Sequence, residues 1–428
     1  MKLELNVVSI NKVQFGDKTA VENSVLSINR RELIDLLKAD SRLESVEIDV
    51  ANPGEKTRII RVIDVIEPRA KVGNSGQEHP GALDRLGTVG RGSTCVLRGA
   101  AVVLSEYRRS QDRGRAATGI IDMWGAGAEI APYGNTHNIV VMANPADAVT
   151  EDEYRIALKT AGLKVAVYLA RAGSGLKPGG VEVYDIPSPG KSAGDTQGLP
   201  RVAYIFQVLT LQFKPLEGDP VFYGNNIGAI VPTVIHPNEV LDGAITAPYS
   251  STFMDTYGIQ NHPIVHELYK EHGKSLSFCG VIISNAPNNA PEYERTATVA
   301  ANLAKWTLGA DGAVLTKCGG GAPEMVMART AQKCEQLGVK TALALLHMGM
   351  DTTEVSLKAS TIFSDMPEVD AMVSMGTPAG NPPVTLEPAE KVIGSSEGSE
   401  RGGAATQARQ IRGSMSQIGD SKLIAIRY

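Results

Sequence analysis

The chain has 428 residues, of which 43% are hydrophobic and 21% are charged, and its formal net charge is −5. That length exceeds one ordinary core and predicts two or three domains. Aromatic residues make up only 5% and no dense Lys/Arg block occurs, so a nucleic-acid interface is not expected, and no apolar run approaches the length of a membrane span.

The cysteines and the N-terminus indicate a compartment. Cys95, Cys279, Cys318 and Cys334 are widely spaced and form no CxxC pair. The N-terminal residues MKLELNVVSINKVQFGD alternate polar and apolar side chains and lack the unbroken apolar core of a signal peptide. We therefore expect a cytoplasmic protein with free thiols.

Alternating apolar residues predict that the first part of the chain is rich in β-structure. Leu3–Ile10 and Thr19–Ile28 are predicted to pair as a hairpin around Phe15, Gly16 and Asp17, and Thr94–Ser105 is predicted to be one strand.

Two further segments of this part are well marked. Gly73–Gly92, which contains His79, is rich in glycine and turn residues, and a loop of this length is often functional. Glu151–Ala172 has the pattern of a helix with Thr150 as its N-cap.

Strands and helices alternate from about residue 275. Leu276–Ser284, Gly312–Lys317 and Lys340–His347 are predicted strands, and a helix beginning at Pro323 and ending at Gly338 connects the last two. This spacing favours a parallel sheet. The predicted fold class is α/β, with a β-rich α+β N-terminal part (1–235), a connecting segment (236–274) and a Rossmann-like parallel-sheet domain (275–428).

The triple glycine Gly319–Gly321 follows a predicted strand and opens a predicted helix, a context in which backbone N–H groups can hold an anion. The alternative is a tight turn that merely needs a positive φ. The tight turn is favoured because Glu324 at the helix start repels a phosphate. Cys318, just before the turn, is either a functional thiol or a buried structural residue.

His262 and His266 are four residues apart, which can place two imidazoles on one helix face for a metal ion. No HExxH motif and no third ligand lie nearby in the sequence. We therefore expect a solvated helix face and no metal site.

The segment around residues 236–262 combines histidine, carboxylates and hydroxyl groups at the predicted domain joint, where pockets are common. It is either a polar linker or a catalytic segment, and its candidate residues are His236, Asn238, Glu239, Asp242 and Thr246. Candidate substrate-binding residues elsewhere, which supply amide donors and an acid or base, are Asn225, Asn226 and His137.

Four segments carry a resemblance to a known family: IHPNEVLDGAIT, NHPIVHELYKEHGKSLSFCGVIISN, ERTATVAANLAKWTLGADGAVLTKCGGGAPE and EPAEKVIG. They resemble the α/β-subunit precursor of component B in the glycine, sarcosine and betaine reductases. The subunit precursor of D-proline reductase is a more distant match. The resemblance covers most of the chain.

The resemblance implies an oxidoreductase that cleaves the C–N bond of a small amino acid or betaine as part of an oligomeric complex. The amine leaves, and the carbon skeleton passes to a partner as a selenoether or thioether. A separate subunit carries the cysteine or selenocysteine. In this family the precursor cuts itself at a cysteine near mid-sequence and leaves a pyruvoyl group there.

This chain departs from that pattern, because it has no cysteine between Cys95 and Cys279. One explanation is that a hydroxyl residue of the pair Ser250 and Ser251 performs the self-processing. The favoured explanation is that the chain is never cut and carries no cofactor. Alternatives to a reductase subunit are a non-catalytic scaffold homologue and, from the triple glycine, a nucleotide-dependent enzyme.

Overall fold

The computed structural model describes all residues except 107–118, 192–195, 212–217, 250–252, 346–370, 375–382, 395–400, 420–425 and 428. The strands of this described part are β1 (Lys2–Ser9), β2 (Lys12–Phe15), β3 (Ala20–Glu22), β4 (Val25–Ile28), β5 (Leu43–Ala51), β6 (Thr57–Ile66), β7 (Arg69–Lys71), β8 (Gly92–Arg98), β9 (Ala100–Glu106), β10 (Gly119–Asp122), β11 (His137–Pro145), β12 (Gly180–Asp185), β13 (Arg201–Thr210), β14 (Thr233–Ile235), β15 (Ser277–Ala286), β16 (Gly312–Thr316), β17 (Lys340–Leu345), β18 (Ala371–Ser374), β19 (Pro383–Leu386), β20 (Lys391–Ile393), β21 (Ala404–Gln407) and β22 (Ile426–Arg427).

The helices of the same residues are α1 (Arg30–Lys38), α2 (Gly125–Glu129), α3 (Glu151–Arg171), α4 (Pro237–Leu241), α5 (Thr256–Gln260), α6 (Pro263–Glu271), α7 (Ala290–Asn302) and α8 (Ala322–Gln336). The chain is therefore a mixed α/β protein. No helix among the described residues is both long and apolar enough to cross a membrane.

Helix α3 confirms the helix predicted over Glu151–Ala172, with Thr150 as its N-cap. It begins with a capping box, in which Thr150 Oγ1 accepts from the N–H of Glu153 and the Glu153 carboxylate accepts from the N–H of Thr150. Its apolar side chains pack on the sheet β10-β6-β9-β11-β5, in a core that includes Leu104, Ile139 and Leu158. Strand β20 joins this sheet beside β6.

The predicted strand Thr94–Ser105 is two strands, β8 and β9, in different sheets. Gly99 separates them with a φ of +95°, and a Cβ at this position would lie 2.5 Å from the carbonyl oxygen of Ile10. A side chain therefore fits neither the backbone conformation nor the space. The glycine ends β8 and redirects the chain into β9.

The predicted hairpin of Leu3–Ile10 with Thr19–Ile28 is wrong. Strand β1 pairs with β8 and β12, whereas β4 pairs with β2 and β3 in a separate small sheet. The reason lies in burial. Leu3 and Leu5, at the start of the predicted segment, belong to a different hydrophobic core from Leu26 and Ile28. Only Val8 and Ile10, at its end, share the core of Leu26 and Ile28.

The largest sheet has the order β14-β15-β13-β16-β17-β18-β22. Its five inner strands are parallel, and β14 and β22 run antiparallel at its edges. Helix α8 begins with Pro323 in its first turn and is followed by Gly338 at φ +73°, as the sequence predicts. The Rossmann-like character of this sheet stays a prediction.

Two strands cross the predicted domain limits. Strand β13, from the predicted N-terminal part, lies in the middle of the largest sheet. Strand β20, from the predicted C-terminal domain, pairs with β6. The division at residues 235 and 275 stays a prediction, but the sheets exchange strands across it.

The capping box of α3 gives a first prediction. Thr150→Ala removes one acceptor at the helix start and lowers the free energy of unfolding by about 1 kcal/mol. Thr160→Ala is the matched control, because Thr160 is inside the same helix, where its hydroxyl only donates to the Ile156 carbonyl. Urea denaturation measures both. An equal loss in the two variants contradicts the role of the cap.

Candidate functional site

The joint predicted from sequence is buried, so a solvated linker does not describe it. The exposed fraction is 1% for His236, 0% for Asn238, 8% for Glu239, 7% for Asp242 and 4% for Thr246. Polar groups are costly to bury without partners. The partners of each residue therefore show what it does.

His236 and Glu239 hold the start of α4. His236 Nδ1 accepts from the N–H of Asn238 at 3.1 Å, and Glu239 Oε1 accepts from the N–H of His236 at 2.7 Å. The Tyr223 hydroxyl donates to the other Glu239 oxygen. Burial lowers the pKa of His236 to about 4, which leaves the ring neutral at pH 7, and burial raises the pKa of Glu239.

Asn238 ties three distant segments together. Its side-chain amide donates to the carbonyls of Met1 at 2.8 Å, Gly90 at 3.0 Å and Tyr184 at 3.2 Å, and its oxygen accepts from the Tyr269 hydroxyl. These partners use the hydrogen-bonding capacity of the amide. Asn238 therefore positions the N-terminus, the Gly73–Gly92 loop and β12 around α4.

Asp242 forms a buried ion pair with Lys71. The Asp242 carboxylate also accepts from the N–H of Gly90 at 2.6 Å and from the Thr94 hydroxyl at 2.9 Å. Both side chains are almost fully buried, so each charge depends on the other. The pair fixes the end of α4 against β7 and β8.

His79 lies beside this ion pair. The predicted loop Gly73–Gly92 carries it at a φ of +41°, an uncommon backbone conformation for a residue other than glycine. A Cβ on Gly243 would lie 3.1 Å from His79 Nδ1, so the ring faces the joint directly. A cavity of about 10 Å³ borders His79, Lys71 and Asp242, room for about one water molecule.

A second cluster of buried charges holds the start of the segment 247–256. The Lys159 ammonium group donates to the Ala247 carbonyl and lies 3.5 Å from Asp219. The N–H of Tyr249 donates to Asp219 at 3.0 Å, and the Tyr249 hydroxyl donates to Glu106 at 2.6 Å. These contacts fix both the backbone and the side chain just before residue 250.

Charged side chains also contact the ring of Tyr249 and the end of the segment 247–256. The Arg155 guanidinium lies over the Tyr249 ring, 4.7 Å from its centroid. Asp255 pairs with Arg412 at 2.6 Å, and Asp64 accepts from the N–H of Thr256 at 2.9 Å and from its hydroxyl at 2.7 Å.

Among the carboxylates that hold the segment 247–256, Asp64 has a pKa shifted toward neutral pH. Burial raises the pKa of Asp64 to about 6, against the opposing effect of the Lys159 charge. The Thr256 hydroxyl also accepts from the N–H of Ala247 at 3.0 Å, so it joins the two ends of the segment. A carboxyl group of this kind exchanges its proton near neutral pH.

Two threonine hydroxyls near the predicted self-processing pair Ser250 and Ser251 lie in the described part of the chain. Thr246 donates to the Pro220 carbonyl, and Thr256 donates to Asp64. Their hydroxyls are thus engaged. Ser250 and Ser251 lie outside the described residues.

The three candidate substrate-binding residues, Asn225, Asn226 and His137, lie at different places in the structure. Asn225 is exposed in a turn whose neighbour Gly224 packs against Gly81 of the loop. Asn226 caps the short turn at Ile227–Ala229 by accepting from the N–H of Gly228 at 2.9 Å. His137 lies at the start of β11, where it bonds to Asn52 at 2.9 Å, and burial lowers its pKa.

The triple glycine forms a turn, and a side chain from the first turn of α8 hydrogen-bonds to its backbone. Glu324 accepts from the N–H of Gly321 at 3.2 Å and from the Lys317 ammonium group at 2.8 Å. The helix start is therefore occupied by a carboxylate, which opposes an anion. Cys318 is buried, and burial raises the pKa of its thiol to about 12.

His262 and His266 bond to tyrosines. His262 Nε2 is 3.1 Å from the Tyr204 hydroxyl, and His266 Nδ1 is 3.0 Å from the Tyr184 hydroxyl. His262 is fully buried, so the predicted solvated face is wrong for it. Within the described residues, no three His, Cys, Asp or Glu side chains are placed to hold a metal ion.

Sequence reasoning missed the charged residues that hold 247–256, chiefly Glu106, Arg155, Lys159 and Asp219. A signal for two of them exists. Arg155 and Lys159 are one helical turn apart inside the largely apolar stretch YRIALKTAGLKVAVYLA, which also contains Lys164. Charges on the apolar face of a helix must find buried partners. Arg155 has one near partner, Glu151, in the preceding turn of α3. The other partners are distant in sequence and carry no such signal.

The Lys71–Asp242 pair gives a second prediction. Lys71→Met leaves the Asp242 charge buried without its cation and lowers the free energy of unfolding by about 3–5 kcal/mol. Lys270→Met is the control, because Lys270 pairs with Glu267 on the surface of α6 and its loss costs under about 1 kcal/mol. Urea denaturation compares them, and similar losses contradict the assigned role of the buried pair.

His79 gives a third prediction. Burial lowers the pKa of His79 to about 4. The unfolded chain therefore takes up the proton first, and the contribution of His79 to stability, full above pH 6.5, declines as the pH falls toward 4. Melting temperatures measured between pH 7 and pH 4.5 should fall less steeply for His79→Gln than for the unmodified chain. Parallel curves exclude this role.

Comparison with known proteins agrees with the resemblance. The family model of glycine/sarcosine/betaine reductase component B subunits matches residues 1–420. The glycine reductase complex component B subunits alpha and beta of Acetoanaerobium sticklandii are 35% identical, with all of both chains covered. The sarcosine reductase complex component B subunit alpha of Peptoclostridium acidaminophilum is 36% identical over 92% of this chain and 89% of its own. The chain belongs to the family of glycine/sarcosine/betaine reductase component B subunits.

Proposed function

We propose that the chain is the substrate-binding subunit of a reductase complex that cleaves the C–N bond of a small amino acid or betaine. A separate subunit supplies the thiol or selenol that takes the carbon skeleton, and the amine leaves. The match over residues 1–420 supports this assignment. The relatives are named as parts of complexes, which supports a partner for this chain as well.

The observation that carries the proposal is the convergence of buried charges on the segment 247–256. Lys159 and Asp219 hold its start, and Asp64 and Arg412 hold its end. Burying charges is expensive, and replacing both members of a buried ion pair by well-packed apolar residues often gives equal or greater stability. Such a cluster is more typical of a reaction centre, where rigid placement of groups lowers the barrier.

The groups at this segment have chemical roles in the proposal. Lys159 and Arg155 supply positive charge for a substrate carboxylate, and Asp64 holds or gives a proton near neutral pH. An amine bound in its neutral form needs a proton to leave when its C–N bond breaks, so an acid of this strength fits that step. An ammonium or trimethylammonium group leaves as the neutral amine without taking up a proton. The partner's thiolate or selenolate forms the new bond to carbon and supplies the electron pair that replaces the lost bond.

The chain supports this proposal without a pyruvoyl group. The family's cysteine is missing between Cys95 and Cys279, and the thiols of all four cysteines are buried. The described hydroxyls at Thr246 and Thr256 are engaged in hydrogen bonds. We therefore propose an uncut chain and assign no step to a carbonyl cofactor.

Sequence identity does not select the substrate. Relatives named for glycine, sarcosine and betaine reductases are 37%, 36% and 34% identical to this chain. These values are too close to favour one amine over another. A non-catalytic scaffold is the second candidate, and the missing cysteine is the observation that favours it.

Tyr249 gives a test of the reaction centre. Tyr249→Phe removes the hydroxyl that donates to Glu106, and we expect it to lower the rate of amine release by about tenfold because the segment loses its position. Tyr168→Phe is the matched control, since its hydroxyl donates to Glu32 at the surface. The assay uses the chain with its thiol or selenol subunit. Complex formation without amine release supports the scaffold instead.

Intact-protein mass spectrometry tests the uncut chain. We expect one species at 45.4 kDa. Two fragments that sum to this mass contradict the uncut chain. If Ser250→Ala or Ser251→Ala then restores the single species, that serine performs the self-processing.

A further inference from the structure

A cavity of about 160 Å³ borders the largest sheet, and none of its described lining residues belongs to the segment 247–256. It is located where strands β13 and β15 end and where α7 begins. Leu211 and Ile230 give it apolar walls, and Asn285, Glu292, Arg295 and Thr296 give it polar ones. Both strands end at the carboxyl edge of the parallel sheet, the edge where open α/β sheets bind ligands.

Asn285 points to a ligand. Its side-chain nitrogen donates to the carbonyls of Ile227 and Ile230, each at 3.2 Å, and these two bonds fix which end of the amide is the oxygen. The oxygen has no hydrogen-bond partner among the described residues, although Asn285 is only 4% exposed. A buried acceptor without a partner is costly, so its natural partner is a donor that enters the cavity.

The mouth of the cavity carries charges of both signs. Arg295 and Glu292 lie in the first turns of α7, 3.7 Å apart, and both are partly exposed. Their long contact leaves the guanidinium group and the carboxylate able to bind other groups. The Thr296 side chain is buried beside them and offers a hydroxyl.

We propose that this cavity binds a small zwitterion that has at least one N–H on its amine. The ammonium group donates to the Asn285 oxygen and lies near Glu292, and the carboxylate pairs with Arg295. The volume suits one small amino acid and is well below the several hundred Å³ of drug-sized sites. Among the residues that the structure describes, the cavity shares no lining residue with the segment 247–256, where the reaction is proposed, so it is a second, separate binding site. Only the expectation that its ligand is also the enzyme's substrate rests on the proposed function.

The free acceptor at Asn285 narrows the class of amine. Primary and secondary amines, as in glycine and sarcosine, carry N–H donors when protonated. A trimethylammonium group has no N–H, so it leaves the Asn285 oxygen without a partner and loses the hydrogen bond. The cavity therefore selects against betaines.

Titration calorimetry of the whole chain with glycine, sarcosine and glycine betaine tests the inference. We expect saturable binding of the first two and at least about tenfold weaker binding of glycine betaine, the loss that corresponds to one hydrogen bond to a charged group. Comparing these ligands tests the hydrogen bond to the Asn285 oxygen without substituting this buried residue. No saturable binding, or equal affinity for all three, overturns the proposal.

Arg295→Gln probes the carboxylate half. We expect it to weaken glycine binding by about tenfold and to leave the binding of glycine amide, which has no carboxylate, unchanged. Arg329→Gln is the matched control, because Arg329 lies on the adjacent α8, pairs with Glu294 at 3.3 Å and does not line the cavity. Equal glycine affinity in Arg295→Gln and Arg329→Gln overturns the assignment.

The two proposals fail separately. If the complex releases amine but no zwitterion binds in this cavity, the proposed function is supported and the binding proposal is contradicted. If binding is saturable with the stated preferences but the complex releases no amine, the binding proposal is supported and the proposed reductase function is contradicted.

Discussion

The rest of the site depends on the burial of the Lys159 ammonium group. An ammonium group leaves water only where carbonyls and carboxylates replace its hydration. Here the Ala247 carbonyl and the Asp219 carboxylate do so, and Asp219 also holds the N–H of Tyr249. The charge of α3 thereby fixes the backbone of a segment that the chain reaches only after a long excursion through β12 and β13.

The joint is held in the same way, by contacts from several parts of the chain. Asp242 with Lys71 and Asn238 with its three carbonyls hold α4, and the charged residues around Tyr249 hold the segment that follows. Because each charge has its partner on another part of the chain, the joint forms only when the N-terminal part and the large sheet are both in place. A site built in this way couples folding to the geometry of the reaction.

Local features of the fold could be predicted from the sequence. Thr150 marks the start of α3, and Pro323 and Gly338 mark the limits of α8, because these residues act on their own turn of helix. The pairing of β1 could not be predicted, since it depends on which of two cores its leucines enter. Gly99, which separates β8 from β9, has a local reason that only the approach of Ile10 reveals.

The location of the candidate site could be predicted from the sequence, but the roles of its residues mostly could not. Residues 236–246 do lie at the junction of the sheets, but His236, Asn238 and Glu239 are engaged in holding helix α4. The residues that converge on 247–256 come from five separate segments, so no spacing in the sequence connects them. Asn285 gives no sequence signal either, because its free oxygen exists only once the Ile227–Ile230 turn has taken both amide hydrogens.

Hydrogen exchange across residues 247–256 tests the central claim most directly. The Asp219 carboxylate accepts from the N–H of Tyr249, and Asp64 accepts from the N–H of Thr256. The Thr256 hydroxyl, which Asp64 also holds, accepts from the N–H of Ala247. These amides should exchange slowly in the free chain, and still more slowly when a small amino acid substrate and the thiol or selenol subunit are added. Exchange as fast as that of exposed loops, or a rate unchanged by substrate and partner, would contradict the account.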